Sequence, residues 1–137
     1  MAEKRRLGYF ITFEGPEGSG KSSHCELLGR DLKACGYKVL ITREPGGTRI
    51  GEKIRRFLLS TDNKDMDPKS EMLLYMASRS EIVKKVILPA LKMGKVVICD
   101  RFLDATFAYQ GFGCGMDRNM IKALGDFVTS GLKPDLT

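Results

Sequence analysis

A stretch of eight residues near the start of the chain has the spacing of a phosphate-binding loop. The pattern G-x-x-x-x-G-K-[ST] is matched by Gly15-Pro16-Glu17-Gly18-Ser19-Gly20-Lys21-Ser22. Glycines let the backbone curl so that several N–H groups point at phosphate oxygens. Lys21 can reach the β- and γ-phosphates of a nucleotide, and the Ser22 hydroxyl can ligate Mg²⁺. The alternative is a glycine-rich turn from a strand into a helix that binds no ligand.

A carboxylate and a guanidinium follow each other at the end of a second apolar run. The run is Lys95-Val96-Val97-Ile98-Cys99, and it leads directly into Asp100-Arg101. A carboxylate at the tip of a strand can hold Mg²⁺ directly or through water, and an adjacent arginine can bind phosphate oxygens bidentately. The alternative is a helix-capping aspartate beside an exposed arginine.

Three further segments carry polar residues that could contact a substrate. The segment Arg43-Glu44-Pro45-Gly46-Gly47-Thr48 leaves the carboxyl end of a predicted strand, where open α/β sheets bind ligands. Tyr75 and Arg79 are four residues apart, so they share one face of a predicted helix. Thr106 and Gln110 have the same spacing. For Tyr75 and Arg79, spacing alone favours the alternative of a core aromatic residue beside a surface arginine.

These residues must be positioned by a parallel sheet with helices between its strands. Strands are predicted at about 9–14, 38–42 and 95–100. A helix from about Gly20 to Cys35 lies between the first two, and Gly36 reads as its C-terminal glycine. A strand-helix-strand unit this short implies a right-handed crossover and parallel pairing. The uniformly apolar third strand is typical of the centre of such a sheet.

Apolar periodicity predicts the remaining helices and their inward faces. The first helix has an apolar stripe of Cys25, Leu28, Leu32 and Cys35. A short helix covers Gly51 to Leu59, with Ile54, Leu58 and Phe57 inward. A longer one extends from about Pro68 to Met93, is interrupted near Pro89, and buries Met72, Leu73, Met76, Ile82, Val83, Val86 and Ile87. The last runs from about Arg118 to Ser130, is capped by Asp117, and buries Ile121, Leu124, Phe127 and Val128.

The fold predicted from these elements is a P-loop α/β fold of three layers, α/β/α, with a parallel sheet. Pro134-Asp135-Leu136-Thr137 is predicted to begin one more strand. With 137 residues, 42% of them hydrophobic and 29% charged, the chain is expected to be one globular domain.

Composition argues against several classes of protein. No apolar run is long enough for a membrane span, and the basic start is not followed by a signal-peptide core. The net charge of +6 includes Lys4-Arg5-Arg6, predicted to be a solvated tail, so we expect no nucleic-acid partner. The four cysteines lack C-x-x-C spacing, so we expect reduced thiols, no zinc site and a cytoplasmic protein. The lone His24 is expected to be an ordinary helix residue.

The candidate residues together suit phosphoryl transfer, which depends on positioned phosphates, Mg²⁺ and cations rather than on a covalent nucleophile. Their order also resembles one family, the bacterial thymidylate kinases. The matching segments are Phe13 to Ser22, Thr42 to Thr48, Ala77-Ser78-Arg79, Asp100-Arg101-Phe102, Ala108-Tyr109-Gln110-Gly111 and Pro134-Asp135-Leu136-Thr137. The resemblance implies transfer of the γ-phosphoryl group of Mg-ATP to dTMP, giving dTDP for dTTP synthesis.

The resemblance also implies a role for each matching residue. Tyr75 stacks on thymine and Arg79 bonds a base carbonyl, while Thr106 and Gln110 approach the thymine edge. These roles favour a substrate site over the core-aromatic alternative. Gly15 to Ser22 binds the ATP phosphates, with Lys21 catalytic.

For the acceptor phosphate, the resemblance places Arg55 and Arg101 on dTMP, with Arg101 near the transferred group. Glu17 lies near the sugar and phosphate, and Arg43 and Glu44 line the same acceptor loop. The catalytic set is Lys21, Arg101 and Asp100, and the metal side is Ser22 and Asp100. No strong general base is implied, because the dTMP phosphate is already an anion.

Members of this family continue past the Pro134–Thr137 strand with a mobile lid, adenine contacts and a closing helix. We therefore expect residues 1–137 to form a single P-loop kinase domain that is incomplete at its C-terminus and is not a complete catalyst alone. The resemblance further implies a homodimer. Two other readings stay open: a P-loop kinase that phosphorylates a nucleoside, and a nucleotide-binding module without transfer activity.

Overall fold

A three-stranded parallel sheet lies at the centre of the molecule. The computed structural model describes residues 8–106, 111 and 113–137. The strands are β1 (Tyr9–Phe13), β2 (Val39–Arg43) and β3 (Val96–Asp100), and their order in the sheet is β1-β3-β2. The prediction that the uniformly apolar strand is central is therefore confirmed. Phe13 and Arg43 both pair in register with Asp100, so the loops after all three strands begin at one edge of the sheet.

The last described residues pair with the free side of β1. Leu136 forms a parallel bridge with Ile11, and its carbonyl accepts the N–H of Thr12 at 2.9 Å. Asp135 strengthens the contact, because its carboxylate accepts the N–H of Phe10 at 2.7 Å. The predicted start of a further strand is thus present as this bridge.

Six α-helices are present in the described part of the chain. They are α1 (Lys21–Ala34), α2 (Arg49–Leu59), α3 (Pro68–Ile82), α4 (Leu88–Lys92), α5 (Leu103–Thr106) and α6 (Arg118–Thr129), with a 3-10 turn at Thr61–Asn63. Thr48, Asp67 and Asp117 cap α2, α3 and α6, because each side chain accepts a backbone N–H of the first turn. Among the described helices, none has the length and apolarity to span a bilayer.

A π-helical segment at Val83–Ile87 joins α3 to α4. We predicted one helix interrupted near Pro89, and the interruption begins six residues earlier than that proline. A proline cannot donate a backbone hydrogen bond and clashes with the carbonyl four residues before it. The wider π turn lies across that carbonyl, at Lys85, so it accommodates the ring without ending the helical path.

Two hydrophobic clusters cover the opposite faces of the sheet and give the predicted three layers. On one face the side chains of Phe10, Val97 and Cys99 pack against the helical path from α3 to α4. On the other face Val96 and Ile98 pack against Cys25 and its neighbours on α1. Successive residues of β3 serve the two clusters alternately, as side chains of a strand buried on both faces must.

Four side chains predicted to point inward are exposed: Cys35, Phe57, Leu73 and Phe127. Phe127 is 81% exposed because α6 is buried along the line Ile121, Gly125, Thr129. Phe127 lies two residues from both Gly125 and Thr129, and residues at that spacing do not share a face. Apolarity alone could not reveal that a glycine would occupy the contact line.

Candidate active site

The loop between β1 and α1 has the left-handed glycine conformations expected of a phosphate-binding loop. Gly18 and Gly20 have φ angles of 73° and 87°, which side-chain-bearing residues rarely adopt. No side chain among the described residues caps the start of α1, so its first N–H groups are available to an anion. The Lys21 ammonium folds back on the loop and donates to the carbonyl of Pro16 at 2.7 Å.

The loop is tied to the tip of the central strand. The Ser22 hydroxyl donates to Asp100 Oδ2 at 2.5 Å, although the two residues are 78 positions apart. Asp100 therefore makes a contact across the site rather than a helix cap. Its other carboxylate oxygen, Oδ1, is buried and has no hydrogen-bond partner among the described residues. A buried carboxylate oxygen without a donor is suited to a cation.

Arg101 follows with an unusual backbone conformation. Its φ angle is 71°, in the left-handed region that costs a non-glycine residue on the order of 1–3 kcal/mol. Its guanidinium reaches back to the phosphate-binding loop, and Nη2 donates to Glu17 Oε1 at 2.6 Å. The arginine side chain is only 19% exposed, whereas that of Glu17 is 89% exposed. Glu17 can therefore leave this ion pair for solvent when another anion binds Arg101.

Glu14 is a site residue that sequence reasoning missed. Its carboxylate accepts the N–H of Phe102 at 2.7 Å. Burial raises its pKa to about 7; the Phe102 hydrogen bond opposes the rise, and the nearby Asp104 carboxylate adds to it. The available signal was a carboxylic acid at the end of a buried strand, immediately before the glycine-rich loop.

The raised pKa of Glu14 makes stability depend on pH. The folded protein holds this proton until about pH 7, whereas the unfolded chain releases it near 4.5. Because the unfolded state ionises first, the free energy of unfolding of the wild type should fall, relative to that of Glu14→Gln, as pH rises through this window. Urea unfolding at several pH values measures the difference. The exposed Glu26→Gln is the matched control, and a pH-independent difference for Glu14→Gln would contradict the assignment.

The loop after β2 is held by side chains of α2 and α3. Glu52 Oε1 accepts the N–H of Gly47 at 2.9 Å, and this bond is the main cause of the lowered pKa of Glu52. Ser78 of α3 accepts the N–H of Gly46 at 3.0 Å in a buried position. Neither Glu52 nor Ser78 was predicted to act in the site, because their partners are backbone N–H groups, which residue type does not reveal, and Ser78 is also 32 positions from Gly46.

The predicted arginines near this loop differ in environment. Arg43 is exposed and forms an ion pair with Glu52 at 3.2 Å. Arg55 of α2 donates from Nη1 to the carbonyl of Pro45 at 3.0 Å and is half-buried. This hydrogen bond holds Arg55 against the loop after β2, and the side chain still lines the open cleft.

Arg79 and Glu44 form a buried ion pair, so the alternative of a surface arginine is wrong. Arg79 Nη2 and Glu44 Oε2 are 2.7 Å apart, and both side chains are almost fully buried. Arg79 Nη2 also donates to the carbonyl of Phe102 at 3.0 Å, and the guanidinium lies 5.4 Å from the Phe102 ring centre. Burial raises the pKa of Glu44, while the Arg79 charge and hydrogen bond oppose the rise.

These elements surround one open cleft of about 620 Å³. Its walls include residues from the ends of β2 and β3, from the loops that follow all three strands and from the helices α1, α2 and α3: Glu17, Gly18, Gly20, Lys21, Ser22, Arg43, Glu44, Arg55, Tyr75, Asp100 and Arg101. A narrow recess joins it and is lined by Glu44, Tyr75, Arg79, Arg101, Phe102 and Thr106, among others. Gly15, Pro16 and Ser19 belong to the same loop without lining the cleft, and Gln110 lies outside the described residues.

Comparison with known proteins identifies the family. The thymidylate kinase profile matches residues 13–137. A thymidylate kinase from Exiguobacterium sp. is 54% identical over 130 residues, covering 95% of this chain and 61% of that protein. One from Pelobacter propionicus is 53% identical over 131 residues, covering 96% of this chain and 60% of that protein.

The fold agrees with these matches. The crystal structure of thymidylate kinase from Ehrlichia chaffeensis matches with a TM-score of 0.88 and 44% identity, covering 93% of this chain and 71% of that chain. The predicted P-loop α/β fold is therefore confirmed. The chain spans about 60% of the length of the curated relatives it matches. Through its profile match, its close relatives and its fold, the chain belongs to the thymidylate kinase family.

Proposed function

We propose that this chain carries the phosphate-donor site and most of the acceptor site of an enzyme that transfers the γ-phosphoryl group of Mg-ATP to dTMP. The products are dTDP and ADP. The observation that carries the proposal is the convergence of three loops on one cleft, where Ser22 meets Asp100 and Glu17 meets Arg101. Residues that are about 80 positions apart in the sequence thus line one cavity, which can hold the phosphate donor and the acceptor together.

On the donor side, Gly15 to Ser22 binds the ATP phosphates, and Lys21 exchanges its internal carbonyl partner for phosphate oxygens. Mg²⁺ fits beside Ser22 and Asp100, because Asp100 has a buried oxygen without a hydrogen-bond donor among the described residues. When bound, the ion supplies positive charge that neutralises phosphate oxygens. These residues hold it at the end of the central strand.

On the acceptor side, two arginines bind the dTMP phosphate. Arg55 and Arg101 both line the cleft, and Arg101 lies closest to the donor loop through its contact with Glu17. Arg43 ends β2 and Glu44 begins the loop that follows it, and both line the same cleft. The arginines align the attacking phosphate oxygen and neutralise developing charge, so no strong general base is needed.

The base occupies the side of the cleft where the recess opens. Tyr75 offers an aromatic face, and Arg79 keeps its Nη1 donor for a base carbonyl, since the contact of Nη1 within the described residues is the weak acceptor Met76 Sδ at 3.7 Å. Thr106 lines the same recess, and Gln110, which lies outside the described residues, stays the predicted amide partner four positions later. On the family resemblance, we also propose a cytoplasmic homodimer; exposed Phe57 and Leu73 offer apolar surface for the contact.

A substrate panel tests this function. ADP release by the complete natural protein is measured with dTMP, dUMP, dGMP, AMP and thymidine as acceptors. We expect the highest kcat/KM with dTMP, because the recess pairs an aromatic face with a buried guanidinium suited to a base carbonyl. Equal turnover with AMP or dGMP would defeat the substrate assignment. Phosphorylation of thymidine instead of dTMP would indicate a nucleoside kinase. Binding of ATP and dTMP without formation of product would indicate a nucleotide-binding module.

A further inference from the structure

The left-handed backbone of Arg101 is held by hydrogen bonds on both sides. In the peptide group before it, the Asp100 carbonyl accepts the N–H of Glu44 at 3.0 Å, and the Arg101 N–H donates to the carbonyl of Phe13 at 2.9 Å. These two bonds continue the parallel hydrogen-bonding pattern of the sheet past the end of β3. They fix this peptide group between the loops that follow β1 and β2.

The peptide group after Arg101 depends on side chains. The Arg101 carbonyl accepts the Cys99 thiol at 3.1 Å, and the Phe102 N–H donates to Glu14 Oε1 at 2.7 Å. A thiol is a weak donor, whereas the Phe102 N–H is a full-strength donor and its distance to the Glu14 oxygen is short. Glu14 therefore supplies the stronger of the two bonds that hold this peptide group. Beyond it, Arg79 holds the Phe102 carbonyl at 3.0 Å.

We propose that Glu14 is a positioning residue for phosphoryl transfer, which fixes the Arg101 backbone through the Phe102 N–H and so directs the Arg101 guanidinium into the cleft. Two fixed peptide groups determine where the Cβ of Arg101 points, and the guanidinium then reaches Glu17 at 2.6 Å. Without the Glu14 bond, the peptide group after Arg101 keeps the weak bond from the Cys99 thiol, which is a poor restraint against rotation out of the strained conformation. The kinetic consequence rests on the proposed function, whereas the positioning contact does not.

Two variants of similar size separate the hydrogen bond from packing. Glu14→Gln keeps an oxygen acceptor for the Phe102 N–H, and Glu14→Leu fills the space without one. We expect Glu14→Gln to keep kcat close to the wild-type value and Glu14→Leu to lower it about 100-fold, as a misaligned reacting group does. The double variant Arg101→Ala with Glu14→Leu should have nearly the same kcat as Arg101→Ala alone, because Glu14 acts through the Arg101 side chain. The exposed Glu26→Leu on α1 is the matched control.

Two kinetic results would overturn the inference. One is an equal fold loss from Glu14→Leu in both backgrounds, which is the behaviour of a residue that only supports the fold. The other is a loss in Glu14→Gln as large as that in Glu14→Leu, which would mean that the acceptor oxygen is not what matters.

A measurement on the 137-residue chain is independent of catalysis. Amide exchange of Phe102 should be protected in the wild type and in Glu14→Gln and fast in Glu14→Leu, with a shift of the Arg101 Nε–H resonance in Glu14→Leu alone. An unchanged Arg101 resonance in Glu14→Leu would overturn the positioning role. If the wild type forms no dTDP, the proposed function fails, and these resonances alone decide whether Glu14 positions Arg101.

Discussion

Replacing Arg101 with alanine is expected to lower kcat for dTDP formation about 10³-fold, the scale of an arginine that neutralises a transferred phosphoryl group. The side chain is largely buried between the donor loop and the acceptor side, and its ion pair with the exposed Glu17 is easily exchanged for a phosphate. ATP binding should change little, because the backbone N–H groups of the loop and Lys21 provide most of the contacts to the donor.

The measurement is steady-state kinetics together with calorimetry for ATP. Arg101→Lys should fall between the wild type and alanine, since a lysine keeps the charge but loses the bidentate geometry. Arg30→Ala is the control, because Arg30 is exposed on α1 and pairs with its neighbour Asp31. A near-normal rate in Arg101→Ala would remove this residue from the catalytic set.

Arg79→Met should destabilise the protein by about 3–5 kcal/mol, as expected when one partner of a buried ion pair is removed. Glu44 would be left buried and unpaired, and its Oε1 already has no hydrogen-bond partner among the described residues. Arg43→Met is a matched control, because the Arg43–Glu52 pair is exposed and pairs of that kind contribute about 0–1 kcal/mol.

The double variant Arg79→Met with Glu44→Leu separates stability from binding. Apolar replacement of a whole buried pair is often neutral, so urea unfolding should return close to the wild-type midpoint. Calorimetry should still find dTMP binding lost, because the donor to the base is gone. Wild-type dTMP affinity in the double variant would show that Arg79 supports the fold and does not contact the base.

The local sequence was sufficient to predict the strands, helices and glycine-rich loop, but not the contacts between them. The glycine spacing, the uniformly apolar run 96–99 and the capping Asp117 each act on their neighbours, so they predicted loop, strand and helix correctly. Glu14 and Phe102 are 88 positions apart, and only the parallel pairing of β1 with β3 brings them together. The importance of Glu14 could not be inferred from its residue type.

Burial was the least predictable property. Leu73 has the apolarity of a core residue, yet α3 presents the neighbouring Met72 and Met76 to the core instead. Arg79 shows the opposite error, since a charged residue is rarely buried unless it is paired, and its partner Glu44 lies in a loop 35 positions away. The pairing of a helix residue with a distant loop is set by tertiary structure, which spacing does not contain.

The strand order β1-β3-β2 has a consequence for how this site can evolve. The donor loop follows β1 and the acceptor loop follows β2, with one strand between them. Since neighbouring strands are about 4.8 Å apart, the two loops start roughly 10 Å apart. Backbone hydrogen bonds between the strands set this distance. Substitutions in either loop can therefore change which groups line the cleft while the separation of the two loop origins stays constant.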